Sequence, residues 1–88
     1  MEKLPLSLVV ITFNEEKNIE RCLLSVPFAA DIVVLDSGST DRTVEVARTL
    51  GARVRVEPWR GYHKQKTRAV ALALNPWVLS LDADEALS

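Results

Sequence analysis

Four short apolar runs punctuate the chain, at Leu6–Thr12, Asp31–Leu35, Ala52–Val56 and Trp77–Leu81. They show little polar alternation, the pattern of strands covered on both faces, as in a parallel sheet. Between them the hydrophobic spacing changes to three and four. Ile19, Cys22, Leu23 and Val26 make one stripe of a predicted helix over 15–25, which Pro27 stops. A second predicted helix, over 41–50, starts in the capping cluster Ser39-Thr40-Asp41 and ends at Gly51, with Val44, Ala47 and Leu50 or Val46 turned inward. A third, over 62–74, becomes rich in alanine and leucine after Arg68 and ends at Asn75-Pro76. The order β-α-β-α-β-α-β with right-handed crossovers predicts a three-layer α/β fold: a four-stranded parallel sheet with helices on both faces. The 88 residues allow one small domain, without repeats or linkers.

Composition narrows the function. With 48% hydrophobic residues, 26% charged residues and a formal net charge of -1, the chain reads as an ordinary globular protein, with no nucleic-acid partner expected. The single cysteine, Cys22, excludes an intrachain disulfide and a cysteine-based zinc site, and its apolar neighbours suit a buried, inert thiol. No apolar run approaches the ~18 residues of a membrane span. The start Met1-Glu2-Lys3-Leu4-Pro5 lacks the marks of a signal peptide, so the cytoplasm is the expected location.

The chemistry gathers behind the strands. Thr12-Phe13-Asn14-Glu15-Glu16 follows the first, Asp36-Ser37-Gly38-Ser39-Thr40-Asp41 the second, and Asp82-Ala83-Asp84-Glu85 the fourth. In a parallel sheet these loops leave at one edge, where open α/β folds bind ligands. Carboxylates there suit Mg²⁺ or Mn²⁺ and phosphate groups. Each block also has a plainer reading. Ser39, Thr40 and Asp41 can cap a helix, and Glu15 and Glu16 can meet a helix dipole. Capping leaves Asp36 unexplained; its place at a strand end suits contact with a base or ribose. Arg60, His63, Lys64, Lys66 and Arg68 around the third helix could serve a pyrophosphate or form a solvated face, and His63 lacks a His or Cys partner for metal binding. Neither a Gly-x-Gly-x-x-Gly nor a Walker sequence is present, which counts against dinucleotide oxidoreductases and P-loop enzymes.

Three blocks in this order, Val9-Val10-Ile11-Thr12-Phe13-Asn14-Glu15-Glu16, Ile32-Val33-Val34-Leu35-Asp36-Ser37-Gly38-Ser39-Thr40-Asp41 and Leu81-Asp82-Ala83-Asp84-Glu85, resemble family 2 glycosyltransferases with the GT-A fold. The middle block and its spacing to the last are specific; an Asp-x-Asp triplet alone is not. The wording is most similar to the bacterial subgroup that builds lipopolysaccharide inner core. The resemblance implies strand order 3-2-1-4 and residues 1–88 as a nucleotide-sugar-binding segment, the N-terminal half of the fold, ending after Asp-x-Asp.

It further implies that Thr12, Asn14 and Glu15 line a nucleotide pocket and that Asp36 recognises the base, usually uracil. Lys66 stands where many members have arginine. Asp82 matches the acid near ribose and metal, and Asp84 the direct metal ligand. The implied cofactors are Mg²⁺ or Mn²⁺ and a nucleotide-sugar donor, UDP-sugar foremost. The acceptor would be a glycan or lipid-linked molecule, met by the full-length enzyme at the inner face of the membrane. The family's catalytic base falls beyond the Asp-x-Asp block, so the segment is expected to be inactive alone. The alternative is a non-catalytic fragment that pairs through an exposed fourth strand with itself or another chain. A nucleotidyltransferase would need a glycine-rich loop after the first strand, and none is there.

Overall fold

The computed structural model describes residues 2–87; Met1 and Ser88, the two ends of the expected segment, lie outside it. Seven elements follow in order: β1 (Leu4–Thr12), α1 (Ile19–Leu24), β2 (Ala29–Asp36), α2 (Thr43–Thr49), β3 (Arg53–Val56), α3 (Tyr62–Ala71) and β4 (Trp77–Asp82). The strands form one sheet in the order β3-β2-β1-β4, with every neighbouring pair parallel. The expected order and class are both present.

Alternation along β1 divides the core. Leu8 and Val10 face one side and join Val34 with Ile19, Cys22, Leu23, Val26 and Ala47 of the α1–α2 layer. Val9 and Ile11 face the other and join Val33, Leu35 and Ala69 under α3. Leu8, Val9 and Val10 are fully buried, and each such aliphatic side chain contributes roughly 1.5–3 kcal/mol. Cys22 lies in this core, where burial pushes its thiol up to about 11. Among the described residues no helix is long and apolar enough to cross a membrane.

Several boundaries differ from the expected ones, each for a local reason. The first helix starts at Ile19 rather than Glu15: residues 16–18 form a turn that leads into it, and the Glu15 and Glu16 N–H groups are tied across to Thr43 Oγ1 and Asp41 Oδ2. The second starts at Thr43, capped from outside by Asp41 Oδ1, which accepts the Thr43 N–H at 3.0 Å. Val46 and Leu50, rather than Val44, accompany Ala47 inward. Gly51, at φ 90°, ends this helix: its N–H reaches the Arg48 carbonyl and the Ala52 N–H reaches Ala47, a Schellman pattern. Neither β3 nor β4 is covered on both faces: both are edge strands, β3 with Arg53 and Arg55 exposed and β4 with Trp77 and Val78 exposed.

The third helix ends at Ala71 rather than Leu74, because the chain turns there into a polar knot at the far edge of the sheet. Ser7 Oγ, fully buried, donates to Asp31 Oδ2 at 2.8 Å and accepts the N–H groups of Leu74 and Asn75 at 3.2 and 3.1 Å. Arg53 closes the knot with two bonds to Asp31 and one to the Leu72 carbonyl. A second knot stands at the opposite edge. Glu57 accepts both Arg68 nitrogens at 2.9 Å, with Arg60 at 2.8 Å and Arg55 at 3.3 Å. The hydrogen bond from Arg68 heads the causes that lower the Glu57 carboxyl to about 2.

Two outcomes follow for stability. Ser7→Ala leaves buried partners unpaired and should cost about 1–3 kcal/mol, seen as a lower urea midpoint at unchanged slope. Because Glu57 is depressed in the fold, its contribution is complete above its ordinary value of 4.5 and is lost as pH falls towards about 2. Glu57→Gln should therefore lower the thermal midpoint at neutral pH and lose that effect near pH 2; an equal deficit at both pH values would contradict this.

Candidate donor-binding site

The carboxyl ends of β1, β2 and β4 carry Thr12, Asp36 and Asp82 to the same edge, in adjacent register: Thr12 opposite Asp36, and Ile11 opposite Asp82. The loops that follow are tied to one another rather than left loose. Asn14 sits at φ 50°, a left-handed conformation that asparagine tolerates better than most residues. From there its N–H donates to Ser39 Oγ at 2.8 Å, and its Oδ1 accepts the Thr40 N–H at 2.8 Å. The Glu15 N–H donates to Thr43 Oγ1 at 2.9 Å, and Glu16 N–H to Asp41 Oδ2 at 3.2 Å. Asn14 and Glu15 thus act through their backbone and amide to fix two loops against each other.

Asp36 is fully buried. Its Oδ2 accepts the N–H groups of Gly38 and Ser39 at 2.9 and 2.7 Å, and its Oδ1 accepts the Ser39 hydroxyl. The structural role that capping alone did not supply for Asp36 is therefore present: the carboxylate shapes its own loop. Gly38, at φ 103°, makes that turn possible.

A cleft of about 240 Å³ opens beside β1, lined by Thr12, Phe13, Glu15, Trp59, Tyr62, Asp82 and Asp84 among others. Thr12 Oγ1 is buried with no hydrogen-bond partner among the described residues. Asp82 Oδ2 accepts the Tyr62 hydroxyl at 2.8 Å, while Lys66 Nζ stands 3.1 Å from Asp82 Oδ1. Partial burial lowers the Lys66 pKa, but its bonds to Asp82 and Tyr62 outweigh that and raise it overall. The hydrogen bond to Asp82 likewise raises the Tyr62 phenol. Glu85 Oε1 accepts the Asp82 N–H at 2.6 Å and closes the turn that presents Asp84. The Asp84 side chain is exposed and takes no hydrogen bond or ion pair among the described residues. Among those residues no three His, Cys, Asp or Glu groups converge as a complete metal site.

The basic stretch divides. Arg60 and Arg68 are held by Glu57, Lys66 turns to the cleft, and His63 and Lys64 are exposed. The structure adds aromatic residues that the reading by charge passed over. Phe13 and Trp59, each about half exposed, flank a second hollow with Ser37, and Tyr62 reaches Asp82. Their signal was available: aromatic side chains in polar loops, off every predicted apolar stripe.

The comparisons agree with this architecture. The model of the family described as Glycosyl transferase family 2 matches residues 7–88. An uncharacterized glycosyltransferase of Rickettsia typhi is 50% identical over 84 residues, covering 94% of this chain and 29% of that protein. The lipopolysaccharide core biosynthesis glycosyltransferase LpsC of Rhizobium meliloti is 42% identical over 90 residues, covering 97% of this chain and 33% of its own length. Glucosyl-3-phosphoglycerate synthase from Mycobacterium tuberculosis, solved with Mn²⁺, UDP and glucosyl-3-phosphoglycerate, is similar with a TM-score of 0.76 at 29% identity, over 92% of this chain and 35% of that one. The chain spans roughly a third of each relative's length. With the 3-2-1-4 parallel sheet and the acids at its carboxyl edge, the chain belongs to glycosyl transferase family 2 and has the architecture of the N-terminal part of a GT-A fold.

Proposed function

We propose that residues 1–88 form the donor-binding segment of a glycosyltransferase, holding a UDP-sugar and a divalent cation for transfer to a glycan or lipopolysaccharide acceptor. The observation that carries this reading is the shared cleft of Thr12, Asp82 and Asp84 at the carboxyl edge of the sheet. The cleft continues past Phe13 and Trp59, whose half-exposed rings offer faces for a planar base. Similarity to a synthase solved with UDP and Mn²⁺ supports the same ligand classes.

The donor set fits Mg²⁺ or Mn²⁺. Such ions take one or two carboxylates and complete their shell with phosphate oxygens and water, so a three-acid cage is not required. Asp84 would bind the cation directly, with Asp82 near ribose and metal. The bound cation would supply Lewis-acid stabilisation of the departing diphosphate. Thr12, with its unpaired hydroxyl, and the Asn14–Glu15 loop would line the nucleotide pocket. Asp36 would serve the base by fixing the Ser37–Ser39 turn and by whatever carboxylate capacity that turn leaves.

No residue here is assigned as acceptor base. Glu85, adjacent to the acids, is engaged by the Asp82 N–H. We therefore expect donor binding without turnover from the segment, and place the complete enzyme at the inner membrane face where lipid-linked acceptors are met.

Calorimetry with UDP tests this reading. The chain should bind UDP weakly in Mn²⁺ and at least ~10-fold more weakly without it, a difference that loss of charge-assisted ligation would produce. Asp84→Ala should abolish the Mn²⁺ dependence. Equal UDP binding with and without Mn²⁺, unchanged in Asp84→Ala, would contradict it.

A further inference from the structure

In the cleft lining, Asp82 is already paired. Tyr62 and Lys66 stand four residues apart on α3, so their side chains share one face of the helix. Tyr62 Oη donates to Oδ2 at 2.8 Å, and Lys66 Nζ lies 3.1 Å from Oδ1 and 5.3 Å from the centre of the Tyr62 ring. Oδ2 is thus hydrogen-bonded and Oδ1, buried with no hydrogen bond among the described residues, is ion-paired from the same helix, while Asp84 two residues on is exposed.

A divalent cation held by Asp84 with Asp82 beside it would compete with the ammonium for the carboxylate that Lys66 already pairs. Two cations on one carboxylate repel each other, so each weakens the hold of the other. Metal entry therefore favours release of Lys66, which gains a new anion only if one arrives as well.

We propose that Lys66 is the resident counter-ion of Asp82, oriented by Tyr62, and that cation and nucleoside diphosphate enter by exchange. The cation takes Asp84 with Asp82 beside it, and Lys66 passes to a phosphate oxygen. This inference rests on the donor-site reading and adds a coupling to it: each ligand raises affinity for the other by the same factor. Mn²⁺ alone displaces an ammonium that finds no replacement partner. With the diphosphate present, the ammonium trades one anion for another. Tyr62 is a positioning residue in this scheme, keeping the carboxylate turned towards α3 while the site is empty.

The test is a pair of titrations on the intact chain and its variants: free Mn²⁺ followed by electron paramagnetic resonance, and UDP binding at saturating Mn²⁺ followed by calorimetry. Lys66→Met should bind Mn²⁺ alone more tightly, on the order of tenfold, and bind UDP in Mn²⁺ more weakly by a similar factor. Lys66→Arg, which keeps the charge, should restore the weak binding of Mn²⁺ alone. Opposite signs for the two ligands are the signature; a merely structural Lys66 would weaken both. If the unmodified chain binds both ligands but Lys66→Met fails to tighten Mn²⁺, the exchange is overturned and the donor site stands. If the unmodified chain binds neither, both readings fall.

Discussion

β1 lies between β2 and β4 and runs parallel to both, and most of what the chain can do follows from that placement. A parallel neighbour on each side sends all three strands out at one edge, so Thr12, Asp36 and Asp82 emerge together without any loop having to bring them there. The same placement demands apolar side chains on both faces of β1. Leu8 and Val10 meet α1 and α2, Val9 and Ile11 meet the α3 side, and the two half-cores hold the helices, among them α3, whose first turn brings Tyr62 to the cleft. Position at the edge is therefore a consequence of core packing.

What the loops do at that edge is governed by hydrogen bonding rather than burial. The β1–α1 and β2–α2 loops satisfy one another through Asn14, Glu15, Ser39, Thr40, Asp41 and Thr43. Asp36 contributes from beneath as an internal acceptor. The consequence is an edge with two kinds of polar group. Those on the β1–β2 side are largely committed to the scaffold, while those by β4 form ion pairs or stand free to meet a ligand. Asp84 is the clearest of the second kind, and Asp82 with Lys66 is intermediate. Under the proposed reading, metal and phosphate chemistry falls at β4 and the Phe13–Trp59 side is left for a flat, apolar moiety.

The fold was legible because its signals are local and redundant. Runs without alternation marked β1, β2 and β4, and the three- and four-residue spacing of Ile19, Cys22, Leu23 and Val26 marked α1. β3 was read as a covered strand because Val54 and Val56 resemble one, whereas Arg53 and Arg55, which alternate with them, answer to Asp31 and Glu57 at a sheet edge. The early helix boundaries were missed for a related reason: Glu15 and Asp41 look like first-turn residues, but the bonds from Glu15 N–H to Thr43 and from Glu16 N–H to Asp41 span 28 and 25 residues, and spacing cannot show them. The site was legible as a list of acids, since strand ends can be counted. Their division of labour was not. That Arg60 and Arg68 belong to Glu57, that Tyr62 reaches Asp82, and that Phe13 stands near Trp59 are facts of packing across elements.

A ¹H–¹⁵N spectrum of the chain titrated with UDP and Mg²⁺ asks directly whether this edge is a donor site. The account predicts dispersed peaks with Mg²⁺-dependent shifts confined to Phe13 to Glu15, Ser37, the Trp59 indole, Tyr62 and Asp82 to Glu85, with Trp77 at the far edge unmoved. A folded spectrum in which those signals stay still, or in which the shifts gather around Ser7, Asp31 and Trp77 instead, would contradict it.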